Sequence, residues 1–190
     1  DRLLSRGLGD VYKRQVASRR LSEGRIEVAQ ALLDGTPSTI DHPELHIVEG
    51  RLHLARADRQ RDGTGETDQL LLGSAVKSFE AALQLNRETG VAWLGLARTQ
   101  RLLKNLDEAG NSLDRARRLL GDTDSSCSIE AAMLAIDLND IHAATRYIDA
   151  AEIQGSGPTI AYVRGNVAIK SGDPKRCLLY TSDAADEGHC

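Results

Sequence analysis

Aromatic side chains are scarce in this sequence, and their absence narrows the range of possible folds. Only 3% of the 190 residues are aromatic, whereas 41% are hydrophobic and 27% are charged. A β-sandwich needs aromatic and β-branched side chains, so this composition favours helices that pack closely through alanine and leucine. The proportion of apolar residues also predicts a globular chain and excludes a disordered one.

Several features that mark other classes of protein are absent as well. No run approaches the roughly 18 apolar residues of a membrane-spanning helix, and no signal peptide is visible. The formal net charge is −4 with both signs interleaved, so no basic field exists to attract nucleic acid. The three cysteines, Cys127, Cys177 and Cys190, are too few for a disulfide framework, and Cys127 is expected to be a small buried residue. The cytoplasm is slightly favoured as the compartment of the protein, and the periplasm is the alternative.

A pattern of small and large apolar residues recurs along the chain. Ala75, Phe79 and Ala82 stand at i, i+4 and i+7, which places them on one face of a helix. The pattern returns after 34 residues and again after another 34, giving two further copies: Ala109, Leu113, Ala116 and Ala143, Tyr147, Ala150. Alanine lets a second helix approach closely while the large residue fills the groove, so each copy predicts one helix of a packed pair.

The other helix of each pair is predicted upstream, across a short turn. Before Ala109, the residues Trp93, Leu96 and Ala97 share one helical face. Prolines and glycines mark the boundaries, with predicted helix starts at Pro43 and Pro158 and predicted helix ends at Gly90, Gly121 and Gly155.

In these features the sequence resembles the tetratricopeptide repeat, a family built from 34-residue helix pairs. Its unit carries Trp, Leu, Gly and Tyr in the first helix and Ala, Phe, Ala and Pro in the second. The unit 90–123 matches at Trp93, Leu96, Ala97, Ala109, Leu113 and Ala116, and departs from the family at Gln100 and Gly121. The resemblance implies an all-α fold, a right-handed α-solenoid of stacked antiparallel helix pairs.

The repeats divide the chain into units. We expect a half repeat over 16–42, full repeats over 43–89, 90–123 and 124–157, and a half repeat over 158–176. The first full repeat is longer than the others, which predicts an inserted surface loop at about 57–70. Residues 1–15 and 177–190 break the pattern and resemble translated sequencing-adapter read-through. We expect both to be non-native tails on a fragment of a longer protein, the alternative being disordered natural tails.

No set of residues suggests catalysis or metal binding. His46, Glu49 and His53 share a helix face, but the two histidines lie two turns, or roughly 10 Å, apart along the axis, too far to share one ion. No serine–histidine–carboxylate or cysteine–histidine set can be assembled, and the glycines near residue 63 lack the Gly-Lys-Ser/Thr ending of a phosphate loop. We therefore predict that the chain is not an enzyme and holds no metal or cofactor.

The resemblance also implies a concave groove, lined by the first helices, in which peptides bind. Positions carried over from the family predict a peptide-binding groove that contains Glu44, Arg51, Arg98, Arg101, Tyr162 and Asn166. The same positions in unit 124–157 are Ser125, Ser128, Ala132 and Ala135. The three arginines could hold an acidic peptide or a carboxylate; the alternative is that they only solvate the surface.

The predicted function is a non-catalytic scaffold or adaptor segment of a larger, bacterial protein. Its partners would be proteins or peptides, and the truncated edges of the solenoid predict self-association. The alternative is the repeat region of a larger enzyme, transcription regulator or cell-envelope secretion or assembly protein whose other domains are missing. The fold alone does not choose among these.

Overall fold

A computed structural model describes residues 2–34, 42–64 and 68–172, and over these ranges the chain is helical, with no strand. The helices are α1 (Arg2–Ser22), α2 (Ile26–Asp34), α3 (Pro43–Thr64), α4 (Gln69–Leu85), α5 (Gly90–Leu102), α6 (Leu106–Leu120), α7 (Ser125–Asp137), α8 (Ile141–Gln154) and α9 (Pro158–Lys170). None of these helices is long and apolar enough to cross a membrane.

Neighbouring helices pack as antiparallel pairs that stack in chain order. The most extensive contacts join α3 to α4, α5 to α6 and α7 to α8, and α1 packs with α2. Each pair then contacts the next, through α4 and α5, α6 and α7, and α8 and α9. The prediction of an all-α solenoid is therefore confirmed.

The odd-numbered helices form the inner layer of the stack. Contacts join α1 to α3, α3 to α5, α5 to α7 and α7 to α9, whereas α4 does not contact α6 and α6 does not contact α8. Helices that lie closer together occupy the inner side of a bend. The odd-numbered helices from α1 to α9 therefore make the concave face, and the even-numbered helices make the convex one.

Prolines and aspartates fix the starts of several helices. Pro43 and Pro158 are the first residues of α3 and α9, as predicted, because the missing N–H of proline has no partner in a first turn anyway. The side chains of Asp68, Asp124 and Asp140 accept backbone N–H groups at the starts of α4, α7 and α8. Each carboxylate satisfies a donor that the helix itself leaves free.

The predicted glycine stops are correct at two of three positions. Gly121 and Gly155 follow the last residues of α6 and α8, and Gly121 has a φ of 99°, which favours glycine. Gly90 instead begins α5. A Cβ there would lie 2.7 Å from the Cγ of Leu120, so this glycine allows the close approach of α6.

The predicted stripe of small and large residues forms the core. In α4, Ala75, Phe79 and Ala82 are fully buried. The copy in α6 is buried too, at Ala109, Leu113 and Ala116. Each Å² of apolar surface that is buried contributes about 25 cal/mol to stability, so these stripes stabilise the packing of successive helix pairs.

In α8 the stripe lies one residue later than predicted. Ala143 is buried, but Ala150 is exposed, and the fully buried residues are Ala144, Ile148 and Ala151. The cause is an uneven repeat: α7 begins 35 residues after α5, and α9 begins 33 residues after α7. A constant period of 34 averages these two lengths and misplaces the third repeat by one position.

Phe79 fills a niche made by two glycines. A Cβ on Gly50 of α3 would lie 2.8 Å from the Phe79 ring, and one on Gly95 of α5 would lie 2.4 Å from it. The ring therefore lies directly against the backbones of the helix before α4 and the helix after it. One side chain thus joins two successive helix pairs.

Where an inserted loop was predicted at about 57–70, most of the chain is helical. α3 continues to Thr64 and is 22 residues long, against 13 residues for α5 and α7. Ala57 is buried, and Arg59 forms an ion pair with Glu27 of α2, so the extra turns have contacts of their own. Residues 65–67 lie outside the described residues.

The two predicted tails differ in what the structure describes. Residues 2–15 lie within α1. Residues 173–190 lie outside the described residues, so the predicted tail 177–190 and the end of the half repeat 158–176 lie there as well.

Candidate functional site

The concave face carries three of the predicted groove residues close together. Glu44 and Arg51 are exposed on α3 and, with the half-exposed Val91 of α5, line one depression against α1. Arg51 and Arg98 line a second depression together with Asp58. We call this stretch of the concave face, formed by Glu44, Arg51, Asp58, Val91 and Arg98, the α3–α5 groove.

The two exposed arginines of the α3–α5 groove differ in their partners. Arg98 donates to the Oδ2 of Asp58 at 2.6 Å, so its charge is paired inside the groove. Arg51 donates to the Oγ of Ser18 at 3.0 Å, and no carboxylate of the described residues pairs with it. Of the two arginines, only Arg98 is paired with a carboxylate of the described residues, so the charge of Arg51 is left to attract an anionic ligand, although Glu44 lines the same depression.

Arg101 does not line the groove, contrary to prediction, because it is buried between α5 and α7. Its Nε donates to the Oε1 of Glu130 at 2.5 Å and its Nη1 to the Oδ2 of Asp137 at 3.1 Å. Lys104 also donates to Asp137, at 2.9 Å. Burial opposes the charge of Arg101, but Glu130 and Asp137 outweigh it and raise its pKa above the usual value. Arg101 therefore joins successive repeats and is not available to a peptide.

Tyr162 and Asn166 lie on α9, away from the α3–α5 groove. Tyr162 is 63% exposed and Asn166 is half-buried. Since α9 contacts neither α3 nor α5, the structure does not bring these two residues to Arg51 or Arg98.

The groove positions predicted in unit 124–157 are also displaced by one residue. Three of the four predicted side chains are buried: Ser128, Ala132 and Ala135. The repeat begins at residue 125 in the structure, so the corresponding positions fall one residue later, at Ser126, Ile129, Met133 and Ile136. The last three are half-buried, and they make this part of the concave layer apolar.

His46, His53 and Cys127 lie among residues that the structure describes. The Nδ1 of His46 lies 3.1 Å from the Oε2 of Glu49, and the buried Nδ1 of His53 has no hydrogen-bond partner among the described residues. Burial lowers the pKa of His53, and the nearby Arg56 acts in the same direction. Burial and the neighbouring Asp124 raise the pKa of Cys127 to about 12, so its thiol stays protonated and unreactive. No group of three or more metal-ligating residues occurs in the described part of the chain.

Sequence reasoning missed the ionic cluster around Arg101. Its partners lie 29 and 36 residues further along the chain, in the next repeat. One signal was available: Glu130 and Asp137 are seven residues apart in a predicted helix, which places both carboxylates on one face of that helix.

Several solved structures share this architecture. Two structures of MamA protein, one of them of a mutant, superpose with TM-scores of 0.56 and 0.55 at 13% and 14% identity. The mutant match covers 95% of this chain and 98% of the other, and the second covers 95% and 92%. A putative kinesin light chain of Podosopora anserina with nearly identical TPR-like repeats superposes with a TM-score of 0.53 at 14% identity, over 90% of this chain and 89% of the other.

The sequence itself matches no protein-family model and no curated protein. At these identities the structural likeness shows the fold alone, which is a solenoid of TPR-like repeats.

Proposed function

We propose that this solenoid of tetratricopeptide type is a non-catalytic interaction module that holds an acidic peptide of a partner protein in the α3–α5 groove. Stacked helix pairs present an extended concave surface, and such surfaces serve to bind extended segments of other proteins. The groove is open to solvent and lined by exposed polar and apolar side chains, which suits a peptide better than a small, enclosed substrate.

The observation that carries this proposal is the charge of Arg51. Its guanidinium lines the groove and, among the described residues, bonds only to a serine hydroxyl, so it can donate to a carboxylate without breaking an ion pair. Arg98 is less available because Asp58 already holds it. Val91, which is 49% exposed beside Arg51, offers an apolar contact to a side chain next to that carboxylate.

The test compares a peptide carrying two consecutive glutamates between leucines with the same peptide carrying glutamines. We expect the glutamate peptide to bind at least about tenfold more tightly, since a hydrogen bond to a charged group contributes about 1.5–3 kcal/mol. Fluorescence polarisation of the labelled peptides measures both affinities. Raising the salt concentration should weaken only the glutamate peptide.

Charge reversal at Arg51 identifies the site. Arg51→Glu should remove the preference for glutamate, whereas Arg118→Glu, which reverses an exposed arginine on α6 outside the groove, should preserve it. Equal affinity of the wild type for both peptides, or an unchanged preference in Arg51→Glu, would refute the proposal.

Self-association through the ends of the solenoid stays a prediction. The outward-facing Tyr162 and Ile169 of α9, each 63% exposed, are apolar surface that would support it.

A further inference from the structure

The extra turns of α3 bring a carboxylate to the α3–α5 groove. α3 has 22 residues, against 13 in α5 and in α7, and Asp58 lies in the part that α5 and α7 lack. The residue at the same distance from the start of α5 is Asn105, which follows that helix. Arg51 and Arg98, by contrast, are each the ninth residue of their helix, so they occupy equivalent places in successive repeats. Asp58 and the two arginines line one depression with a volume of about 180 Å³.

Asp58 pairs with one of these arginines and not with the other. Its Oδ2 accepts a hydrogen bond from Arg98 at 2.6 Å, and its Oδ1 lies 3.4 Å from the guanidinium of Arg61. Arg51 precedes Asp58 by two helical turns, or about 10 Å along the axis, and forms no ion pair with it. The two equivalent arginines therefore differ because a carboxylate of the lengthened helix holds only one of them.

A ligand carboxylate would bind the two arginines with different results. At Arg51 it would break no ion pair within the chain and would replace only a bond to the hydroxyl of Ser18. At Arg98 it would have to displace Asp58, so one ion pair would replace another. The displaced Asp58 would stay in the same depression and repel the ligand, because like charges placed together disfavour binding. A second carboxylate on the ligand should therefore add little to its affinity.

A second acidic residue of α3 acts in the same direction. Glu44 lies two turns before Arg51, is exposed, and lines the neighbouring depression with it. Arg51 is thus flanked along α3 by a carboxylate on each side, each about 10 Å away along the helix axis. One negative charge between them has an attractive partner in Arg51, whereas a second one would approach Glu44 or Asp58.

We propose that Asp58 sets the charge of the ligand: by holding Arg98, it limits the α3–α5 groove to one carboxylate. The preferred segment of the partner then carries a single acidic side chain among uncharged residues, and an acidic run gains no further affinity. This inference rests on the proposed function, because it concerns the peptide that is bound there. It makes Asp58 a specificity-determining residue and gives the extension of α3 a role in binding.

Four capped peptides, Ala-Leu-X-Ala-Z-Leu-Ala with glutamate or glutamine at X and at Z, test this directly by fluorescence polarisation. X and Z lie about 7 Å apart on one side of an extended chain, which suits arginines on neighbouring helices whose axes are about 8–10 Å apart. We expect the wild type to bind the better single-glutamate peptide at least about tenfold more tightly than the diglutamine peptide, and to bind the diglutamate peptide within about threefold of that affinity. In Asp58→Asn, the diglutamate peptide should bind at least about tenfold more tightly than either single-glutamate peptide, because Arg98 is then free to donate to it.

Two further variants control for effects on folding and on overall charge. Asp58→Glu keeps a carboxylate beside Arg98 and should keep the wild-type pattern of affinities. Asp114→Asn removes an exposed carboxylate of α6, outside the groove, and should keep that pattern as well. Circular dichroism checks that all three variants fold.

The outcomes separate this inference from the proposed function. The inference is overturned if the wild type already binds the diglutamate peptide at least about tenfold more tightly than the single-glutamate peptides, or if Asp58→Asn gains no such preference. Failure of the proposed function looks different, because the wild type and Asp58→Asn would then each bind all four peptides equally. That result would refute both proposals.

Discussion

At the scale of single residues, the ring of Phe79 lies closer to a glycine than any other side chain does among the described glycines. Gly50 and Gly95 have no Cβ, and a Cβ at either position would lie within 2.8 Å of this ring. Glycine inside a helix costs about 1 kcal/mol relative to alanine. At these two positions that cost is accepted because only glycine leaves room for the Phe79 ring. The two glycines thus lower the stability of their own helices but allow successive repeats to pack closely.

We predict that Gly95→Ala destabilises the protein, although alanine is the better helix former. The new Cβ would be 2.4 Å from the Phe79 ring, and overpacking a tight core costs typically 1–3 kcal/mol. The free energy of unfolding, measured by denaturant titration, should fall by up to about 2 kcal/mol after the propensity gain of about 1 kcal/mol is subtracted.

The matched control for this substitution is Gly73→Ala. Gly73 lies inside α4, and a Cβ there would meet nothing within 4 Å. It should stabilise the protein by up to about 1 kcal/mol through helix propensity alone. If Gly95→Ala stabilised the protein as much as Gly73→Ala, the niche around Phe79 would not be as tight as described.

At the scale of elements, an ionic cluster holds α5 against α7. The side chains of Arg101 and Glu130 are 8% and 9% exposed, whereas those of Arg98 and Asp58, between α5 and α3, are 47% and 26% exposed. Water screens the second pair, so its contribution should be under about 1 kcal/mol. The buried pair is different, because losing one partner leaves the other charge without full compensation.

We predict that Glu130→Ala lowers the free energy of unfolding by about 3 kcal/mol, the usual cost of breaking a buried ion pair. Asp58→Ala, the control at the exposed pair, should lower it by less than about 1 kcal/mol. In the double variant Arg101→Met, Glu130→Leu, most of the lost free energy of unfolding should be recovered, because no buried charge is left without a partner. Asp137 keeps Lys104 as its partner in this variant. Equal effects of Glu130→Ala and Asp58→Ala would contradict the buried role of Arg101.

The sequence was sufficient to predict the helices and their pairing because the repeating stripe is a local pattern. Ala75, Phe79 and Ala82 define a helical face without any knowledge of the fold, and Pro43 and Pro158 mark helix starts. The extension of α3 could not be predicted in the same way. Its polar residues are typical of a loop. Only its contacts with another helix, such as that of Arg59 with Glu27, show that this segment is helical.

The candidate site was predicted less completely, for a geometric reason. Groove positions depend on the register of each repeat, and α7 begins 35 residues after α5, one more than the period of 34 used to carry the positions over. A shift of one residue rotates a helical position by about 100°, which exchanges groove for core. This moved the prediction onto the buried Ser128 and Ala132, and the burial of Arg101 became visible only when α7 was placed beside α5.

At the scale of the whole molecule, the two layers of helices have different surfaces. The inner layer is continuous, with each odd-numbered helix touching the next, and it carries Arg51, which pairs with no carboxylate of the described residues. The outer layer is interrupted, and the gap between α4 and α6 is lined by the half-buried Trp93 and by charged side chains. A curved stack of helix pairs can thus offer a partner either a concave track or a convex gap, and the two are chemically distinct.

The central claim, that the concave face recognises an acidic peptide, is tested most directly by mapping the contacts of the glutamate peptide with NMR. In a titration of the isotope-labelled protein, we predict that the largest amide shift changes fall in α3 and α5, around Arg51, Val91 and Arg98. Shift changes confined to α4 and α6, or no shift changes at saturating peptide, would contradict it.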